Sequence, residues 1–316
     1  MGDARLILRE SARKPGGNVT AGNATRGAVI AAGRAGIRGY GTLTARWRPD
    51  PEFLIIGAKR GGSTSLSYDL RTHSRICPLF PRPDHIPKAT TTKGIRYFDQ
   101  NYARGEIWYR SHLPSVFARE RQARRSGGAV ITGECSPYYL FHPAAAERAA
   151  QLLPNAKIIV MLRDPVMRTY SHWKERRRGN AEQLDFRAAL AAEDERVGQV
   201  EDRLRADPTF RSYPHENFSY ARQSEYDTAL ARWYANYPAE RILVLASEDY
   251  YADPQQVLDQ VLEFLGLPSE PIANRNVRNA APGEDLDADV RAALAARFEP
   301  HNRRLAELTG RTFPWA

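Results

Sequence analysis

The sequence has 316 residues, of which 42% are hydrophobic, and it contains 15 tyrosines, 11 phenylalanines and 5 tryptophans. This composition supports one large hydrophobic core or two smaller ones and excludes a chain that is disordered throughout. The formal net charge of +9 favours anionic partners such as nucleotides, nucleic acid, acidic glycans or a membrane surface, whereas only two cysteines, Cys77 and Cys135, exclude a disulfide framework and a cysteine-rich zinc site.

The first 50 residues carry most of the charge excess. Residues 1–50 contain nine basic and three acidic residues, whereas residues 51–316 contain 37 basic and 34 acidic residues. The first segment is rich in Gly, Ala and Arg, which predicts a basic, poorly ordered N-terminal arm over 1–50 and a folded domain over 51–316. We expect no nucleic-acid partner, but the arm suits peripheral contact with a membrane surface.

Two further features of the sequence predict where in the cell the protein is located. No run of about 18 apolar residues occurs, so we expect no transmembrane segment. The two cysteines show neither a disulfide framework nor a metal-binding spacing, which is typical of reduced thiols. Together they predict a cytoplasmic protein, and the sequence leaves its oligomeric state open.

Short apolar segments alternate with helical patterns along the predicted domain. The predicted strands are residues 53–56, 129–132, 157–162 and 241–245. The predicted helices are residues 65–71, 142–153, 166–178, 226–237, 254–265 and 290–308, with a charged helical stretch over 183–207. This alternation predicts an α/β fold, specifically a P-loop-like three-layer fold with a central, mainly parallel sheet flanked by helices.

A glycine-rich loop follows the first predicted strand. Its sequence over residues 57–64 is GAKRGGST, close to the Walker A pattern. Glycines let the backbone approach a phosphate, and the N–H groups at the start of a helix attract anions. The lysine that a Walker loop carries after the second glycine is Ser63 here, and Lys59 comes earlier, where it can reach a leaving-group oxygen. A glycine-rich turn without a ligand remains the alternative.

A second candidate anion site follows the strand at 157–162. Arg163 lies at the carboxyl end of this strand, where open α/β sheets bind ligands, and Ser171 lies about two turns into the next helix. Arg163 and Ser171 could hold a second phosphate by charge-assisted hydrogen bonds. Alternatively, Arg163 only pairs with Asp164. Together with the loop, the two sites suggest a nucleotide with phosphates at both ends.

At these residues the sequence resembles the PAPS-dependent sulfotransferases (PAPS is 3′-phosphoadenosine 5′-phosphosulfate), and within them the heparan sulfate N- and 3-O-sulfotransferase class. Residues 55–66 (IIGAKRGGSTSL) are similar to the family's 5′-phosphosulfate loop, and residues 162–171 to its 3′-phosphate site. Further similar segments are residues 97–99 with 108–109, 134–139, 222–226 with Trp233, 298–302 and 310–315.

The resemblance implies in-line transfer of a sulfuryl group from PAPS to a hydroxyl or amine of a carbohydrate or other small-molecule acceptor, without a metal ion. Lys59 would stabilise the departing phosphate oxygen. The residues implied to bind PAPS are Lys59, Arg60, Gly61, Gly62, Ser63, Thr64, Ser65, Arg163, Ser171 and Arg278. Residues 77–95 and 179–222 are expected to frame the acceptor pocket.

The usual general base of the family is missing. The glutamate expected before the Tyr-Phe pair is Gly94. Glu134 is the first substitute as catalytic base because it ends a predicted strand, and Glu175 and His172 come next, although each also fits a structural role. The lysine that the family carries after Glu134 is Cys135, which removes a cation that would contact an acidic glycan.

Two other functions stay open from the sequence. One is a P-loop kinase or nucleoside triphosphatase, with Asp164 as a magnesium ligand, against which the absence of a lysine after Gly62 argues. The other is a non-catalytic module that binds a nucleotide or a glycan.

Overall fold

A computed structural model of the chain describes residues 33, 35–81, 94–272 and 286–315. The chain divides into residues 1–40 and a unit of residues 41–316. The second unit therefore begins before the predicted domain start at Pro51. Arg48 explains the difference, since it is 1% exposed and its guanidinium donates to the Leu113 carbonyl oxygen. Residues 1–32 lie outside the described residues, so the poorly ordered arm stays a prediction.

The unit of residues 41–316 is built on a parallel sheet. Its strands are β1 (Phe53–Gly57), β2 (Gly133–Cys135), β3 (Lys157–Leu162) and β4 (Ile242–Ala246), in the order β2-β1-β3-β4. Every adjacent pair is parallel, which confirms the predicted sheet. The second strand starts later than the predicted 129–132, because the Thr132 amide donates to the Glu52 carboxylate and the ladder begins at Gly133.

Both faces of the sheet are buried. Leu54 and Ile56 of β1 point into a cluster that contains Trp233, whereas Phe53 and Ile55 point into a cluster on the opposite face. This alternation follows from the two-residue period of a strand. Helices cover each face, and the three-layer α/β architecture is confirmed.

Helices connect the strands and pack on both faces. In chain order they are α1 (Ser63–Leu70), α2 (Glu106–Arg110), α3 (Val116–Ser126), α4 (Ala145–Leu152), α5 (Pro165–Arg178), α6 (Phe186–Ala191), α7 (Glu193–Val197), α8 (Glu201–Ala206), α9 (Tyr213–Asn217), α10 (Tyr226–Tyr234), α11 (Ser247–Ala252), α12 (Pro254–Leu265) and α13 (Ala288–Thr309). Residues 35–43 are also helical. The predicted helical stretch over 183–207 is three short helices, α6 to α8, because Gly198 takes a φ of 62° between the last two.

Within the described ranges, none of the helices is both long and apolar enough to span a bilayer.

Candidate active site

The strand order places the candidate site between β1 and β3. The chain leaves β1 for β2 on one side and later returns to β3 on the other side of β1. In open parallel sheets, ligands bind outside the carboxyl ends of the strands at such a switch point. β1 ends at Gly57 and β3 ends at Leu162, so both predicted phosphate-binding segments start there.

The glycine pair brings the loop close to β3. A Cβ atom at Gly61 would lie 2.5 Å from the Met161 carbonyl oxygen, so no side chain fits there. Gly62 has a φ of 89°, in the left-handed region that glycine adopts readily, and it precedes α1. Ser63, Thr64 and Ser65 therefore form the first turn of a helix, the part whose N–H groups attract an anion.

Lys59 rises from this loop toward α9. Its Nζ donates to the Glu216 carbonyl oxygen at 3.1 Å and to Asn217 Oδ1 at 3.2 Å, and it lies 3.5 Å from Glu216 Oε1. Burial lowers the pKa of Lys59 to about 8, and the Glu216 charge opposes that shift. At neutral pH the group is thus a desolvated cation held beside the phosphate loop, which suits it to stabilise charge on a leaving oxygen.

Arg60 joins the loop to the second candidate anion site. Its Nε donates to Ser171 Oγ on α5 at 3.2 Å. Burial and the neighbouring charges of Arg178 and Arg163 lower the pKa of Arg60. The Arg163 carbonyl oxygen accepts from the Tyr226 hydroxyl, which fixes the backbone at this point. Over the described ranges, the Arg163 guanidinium forms no hydrogen bond or ion pair, so it can bind an anion.

Asp164 has a structural role. Its Oδ1 accepts from the Val166 amide at 2.8 Å and from the Met167 amide at 3.3 Å, so it caps the N-terminus of α5. The proposed pairing of Arg163 with Asp164 is not seen. The carboxylate that a kinase would use for magnesium is thus committed to the helix cap.

Glu134, the predicted base, lies in the core. It is 2% exposed, and its carboxylate accepts from the Ile95 amide, from Ser136 Oγ at 2.9 Å and from the Tyr139 hydroxyl at 3.1 Å. Burial raises the pKa of Glu134 to about 7, although these hydrogen bonds lower it. The structure therefore places Glu134 where it holds residues 95 and 139 together, and Glu134 does not line the cavity described below.

The two other candidate bases are also poorly suited to that role, because His172 is enclosed and Glu175 is paired. His172 is fully buried, and neither ring nitrogen has a hydrogen-bond partner in the described residues. Burial lowers the pKa of His172 well below its ordinary value. The Glu175 carboxylate accepts from Arg176 at 2.5 and 2.6 Å. Gly94 cannot be replaced by a larger residue without movement, since a Cβ there would lie 2.2 Å from the Cys135 carbonyl oxygen.

Sequence reasoning missed Glu216, which occupies the centre of the site. Its carboxylate accepts from Arg96 Nη2 at 2.7 Å and from the Gln100 side-chain amide, besides lying near Lys59. Glu216 also lines a cavity of about 240 Å³. The other cavity-lining residues are Asp99, Gln100, Tyr138, His142, Leu204, Phe210, Arg211, Ser212 and Tyr213. The only sequence signal for Glu216 was its place in the 179–222 segment expected to frame the acceptor pocket.

One predicted nucleotide-binding residue cannot be located. Arg278 and its neighbour Asn279 lie outside the described residues, so the role of Arg278 stays a prediction. The same holds for residues 82–93 of the predicted pocket segment 77–95.

Comparisons with known proteins bear on this site. The family model described as "Sulfotransferase family" matches residues 51–271. Membrane-associated sulfotransferase kil1 of Dictyostelium discoideum is 24% identical to this chain over an alignment of 330 residues, gaps included. The alignment covers 84% of this chain and 66% of that protein. Bifunctional heparan sulfate N-deacetylase/N-sulfotransferase 1 of Caenorhabditis elegans is 28% identical over 225 residues, covering 70% of this chain and 22% of that protein. The chain thus spans less than two thirds of the length of either relative.

A solved structure is also similar. The sulfotransferase from Alicyclobacillus acidocaldarius superposes with a TM-score of 0.58 and 28% identity, covering 84% of this chain and 98% of that one. The similar region therefore includes the sheet, the phosphate loop and α5.

Proposed function

The chain belongs to the sulfotransferase family, and we propose that it transfers a sulfuryl group from PAPS to a hydroxyl or amine group of a carbohydrate acceptor. The observation that carries this proposal is the pair of anion sites at the ends of β1 and β3. Lys59 and the first turn of α1 would form one site, and Arg163, whose charge acts on Arg60, would form the other with Ser171, which Arg60 contacts. PAPS carries a phosphosulfate at its 5′ end and a phosphate at its 3′ end, and two separate sites match that arrangement.

Each site residue has a role in the proposed transfer. The N–H groups of the first turn of α1 bind the 5′-phosphate, and Lys59 stabilises the negative charge that develops on its bridging oxygen as the sulfur–oxygen bond breaks. Arg163 and Ser171 bind the 3′-phosphate, with Arg60 bonded to the same serine. A desolvated lysine supplies the positive charge directly, so we expect transfer to proceed without added magnesium.

The cavity beside Lys59 suits a sugar-sized acceptor. It combines aromatic side chains such as Tyr138, Phe210 and Tyr213 with the polar groups of Asp99 and Arg211. Aromatic faces with a few oriented polar groups are typical of small-ligand pockets. The Caenorhabditis elegans relative is named for heparan sulfate, which supports a carbohydrate acceptor here.

The test combines binding and transfer. We expect PAPS and its product PAP (3′-phosphoadenosine 5′-phosphate) to raise the melting temperature in buffer with EDTA, and ³⁵S-labelled PAPS to label at least one acceptor in a panel of sugars, phenols, sterols and glycolipids. No thermal shift with either nucleotide would overturn the proposal. Binding without transfer across the panel would instead favour a non-catalytic module, and magnesium-dependent ATP hydrolysis would favour a kinase or nucleoside triphosphatase.

A further inference from the structure

The Glu216 carboxylate joins the two halves of the candidate site. One side of it lies 3.5 Å from Lys59 Nζ, the group assigned to the departing phosphate oxygen, and the same side chain lines the cavity assigned to the acceptor. Of the carboxylates considered as bases, Glu134 is enclosed in the core and Glu175 is paired with Arg176. Glu216 alone among these three both borders the cavity and touches Lys59.

The environment of Glu216 orients its two oxygens. Arg96 Nη2 and Lys59 Nζ lie on Oε1, whereas the Gln100 amide donates to Oε2. Lys59, Arg96, Asp99 and Tyr138 are the charged and titratable groups that interact with it, and His142, Arg211 and Tyr213 line the same cavity. Arg96 is also bonded to Asp99 at 3.2 Å, so its position does not depend on Glu216 alone. The carboxylate is thus held by groups on two separate segments of the chain, the loop after β1 and residues 96–100.

We propose that Glu216 is the general base that removes the proton from the acceptor hydroxyl group during sulfuryl transfer. This inference rests on the proposed function. As the acceptor oxygen bonds to sulfur, its proton passes to the Glu216 carboxylate. The bond between sulfur and the bridging phosphate oxygen breaks, PAP leaves with the electron pair, and Lys59 stabilises the new charge. The proton on Glu216 is then lost to water, which regenerates the carboxylate.

The Lys59–Glu216 contact also predicts an order of events. Glu216 Oε1 is engaged by Lys59 as well as by Arg96. A donor phosphate competes for Lys59 and frees that oxygen to accept a proton from the acceptor. Donor binding therefore primes the base, and proton removal without a bound donor is disfavoured.

The alternative role for Glu216 is that of a counter-ion only, and the two roles give opposite results. Removal of a general base typically lowers the rate by about 10²–10⁴-fold. With Glu216→Gln we expect kcat to fall by that factor, the acid limb of the kcat/KM profile to disappear, and PAP to bind at least as tightly as to the wild type. A counter-ion role predicts a retained acid limb and a smaller fall in kcat, because loss of the Glu216 charge would only lower the pKa of Lys59 further.

Glu216→Asp provides the second variant. It keeps a carboxylate on a side chain that is one methylene shorter. We therefore expect partial recovery of kcat relative to Glu216→Gln and a restored acid limb. Glu299→Gln is the control, since Glu299 is 60% exposed in a surface pair with Arg303. Turnover is measured with ³⁵S-labelled PAPS and a set of phenols of graded acidity. We expect Glu216→Gln to depend more steeply on phenol acidity than the wild type does.

The outcomes separate this inference from the proposed function. If the wild type neither binds PAP nor transfers label from PAPS, the proposed function fails. If the wild type transfers label and Glu216→Gln does so at a similar rate with an unchanged pH profile, only the assignment of Glu216 is overturned. PAP binding by calorimetry shows that the variant is folded, so a loss of kcat cannot be attributed to unfolding.

Discussion

Arg60 Nε donates to Ser171 Oγ across 3.2 Å, and this one hydrogen bond joins the phosphate loop after β1 to the helix after β3. The two anion sites predicted separately from the sequence are therefore one continuous surface. Arg60, which makes this bond, has a φ of 69°. A left-handed conformation is uncommon for a residue other than glycine and costs about 1–3 kcal/mol, which the surrounding contacts must offset.

Arg163 should determine the preference for a 3′-phosphate. Arg163→Ala should weaken PAP binding by about 10–100-fold, because hydrogen bonds to charged groups contribute about 1.5–3 kcal/mol. AMP, which lacks the 3′-phosphate, should bind wild type and variant alike. Calorimetry with both nucleotides measures the difference. Arg241→Ala is the control, because Arg241 directly precedes β4 at the opposite end of the sheet. Equal losses for PAP and AMP would place Arg163 elsewhere in the site.

Lys59 should take up a proton when nucleotide binds. Its pKa is lowered to about 8 by burial, so part of the lysine is neutral at pH 8 in the free protein. A bound phosphate favours the charged form and raises this pKa, so binding draws a proton from solvent and PAP affinity falls as the pH rises above 8. Calorimetry at pH 8 in two buffers of different ionisation enthalpy measures the uptake.

Two variants test whether Lys59 is the group that takes up that proton. Lys59→Arg should bind PAP without proton uptake, since arginine stays charged, but should turn over slowly because its planar group does not replace a compact ammonium. Lys59→Ala should abolish turnover and leave the fold intact. Unchanged proton uptake in either variant would assign the titration to another group.

The sequence predicted the strands and loop of the proposed donor side better than the elements around the proposed acceptor cavity. β1, β3 and the phosphate loop are contiguous segments whose apolar runs and glycine spacing carry their own signal. β2 is only Gly133–Cys135, with no apolar run, so its position was predicted four residues too early. Glu216 lies 157 residues from Lys59 in a five-residue helix, and no local pattern marks a contact of that separation.

Substitution of Gly94 by any residue with a side chain should destabilise the fold. A Cβ at this position would lie 2.2 Å from the Cys135 carbonyl oxygen and 2.3 Å from Ser136 Oγ, and the first of these is backbone. Gly94→Ala should therefore lower the free energy of unfolding by about 1–3 kcal/mol, as overpacking does. Gly94→Glu should be less stable still and should not raise turnover.

Urea unfolding followed by tryptophan fluorescence measures the effect of Gly94→Ala. Gly179→Ala is the matched control, because its nearest atom would be the Glu175 carbonyl oxygen at an ordinary 3.4 Å. A Gly94→Ala protein as stable as the wild type would show that the segment after β2 moves to accept a side chain.

Glu134 should affect stability in a pH-dependent way. Burial raises its pKa to about 7 in the folded protein, above the ordinary value of 4.5 that a glutamate has in the unfolded chain. Between these pH values the folded state binds more protons than the unfolded state, so the contribution is fully present below about 4.5 and is lost as the pH rises through 7. Glu134→Gln cannot titrate, so the stability advantage of wild type over this variant should shrink by at least about 1 kcal/mol from pH 5 to pH 8.

Urea unfolding at pH 5, 6, 7 and 8 measures that trend, with Glu147→Gln as the control because Glu147 is exposed on α4. The hydrogen bonds from Ile95 and Tyr139 to the Glu134 carboxylate make it a support for the segment that carries Arg96. We therefore expect Glu134→Gln to retain the acid limb of the kcat/KM profile even where its stability is lower. Loss of that limb in a variant of unchanged stability would return Glu134 to the role of base and remove Glu216 from it.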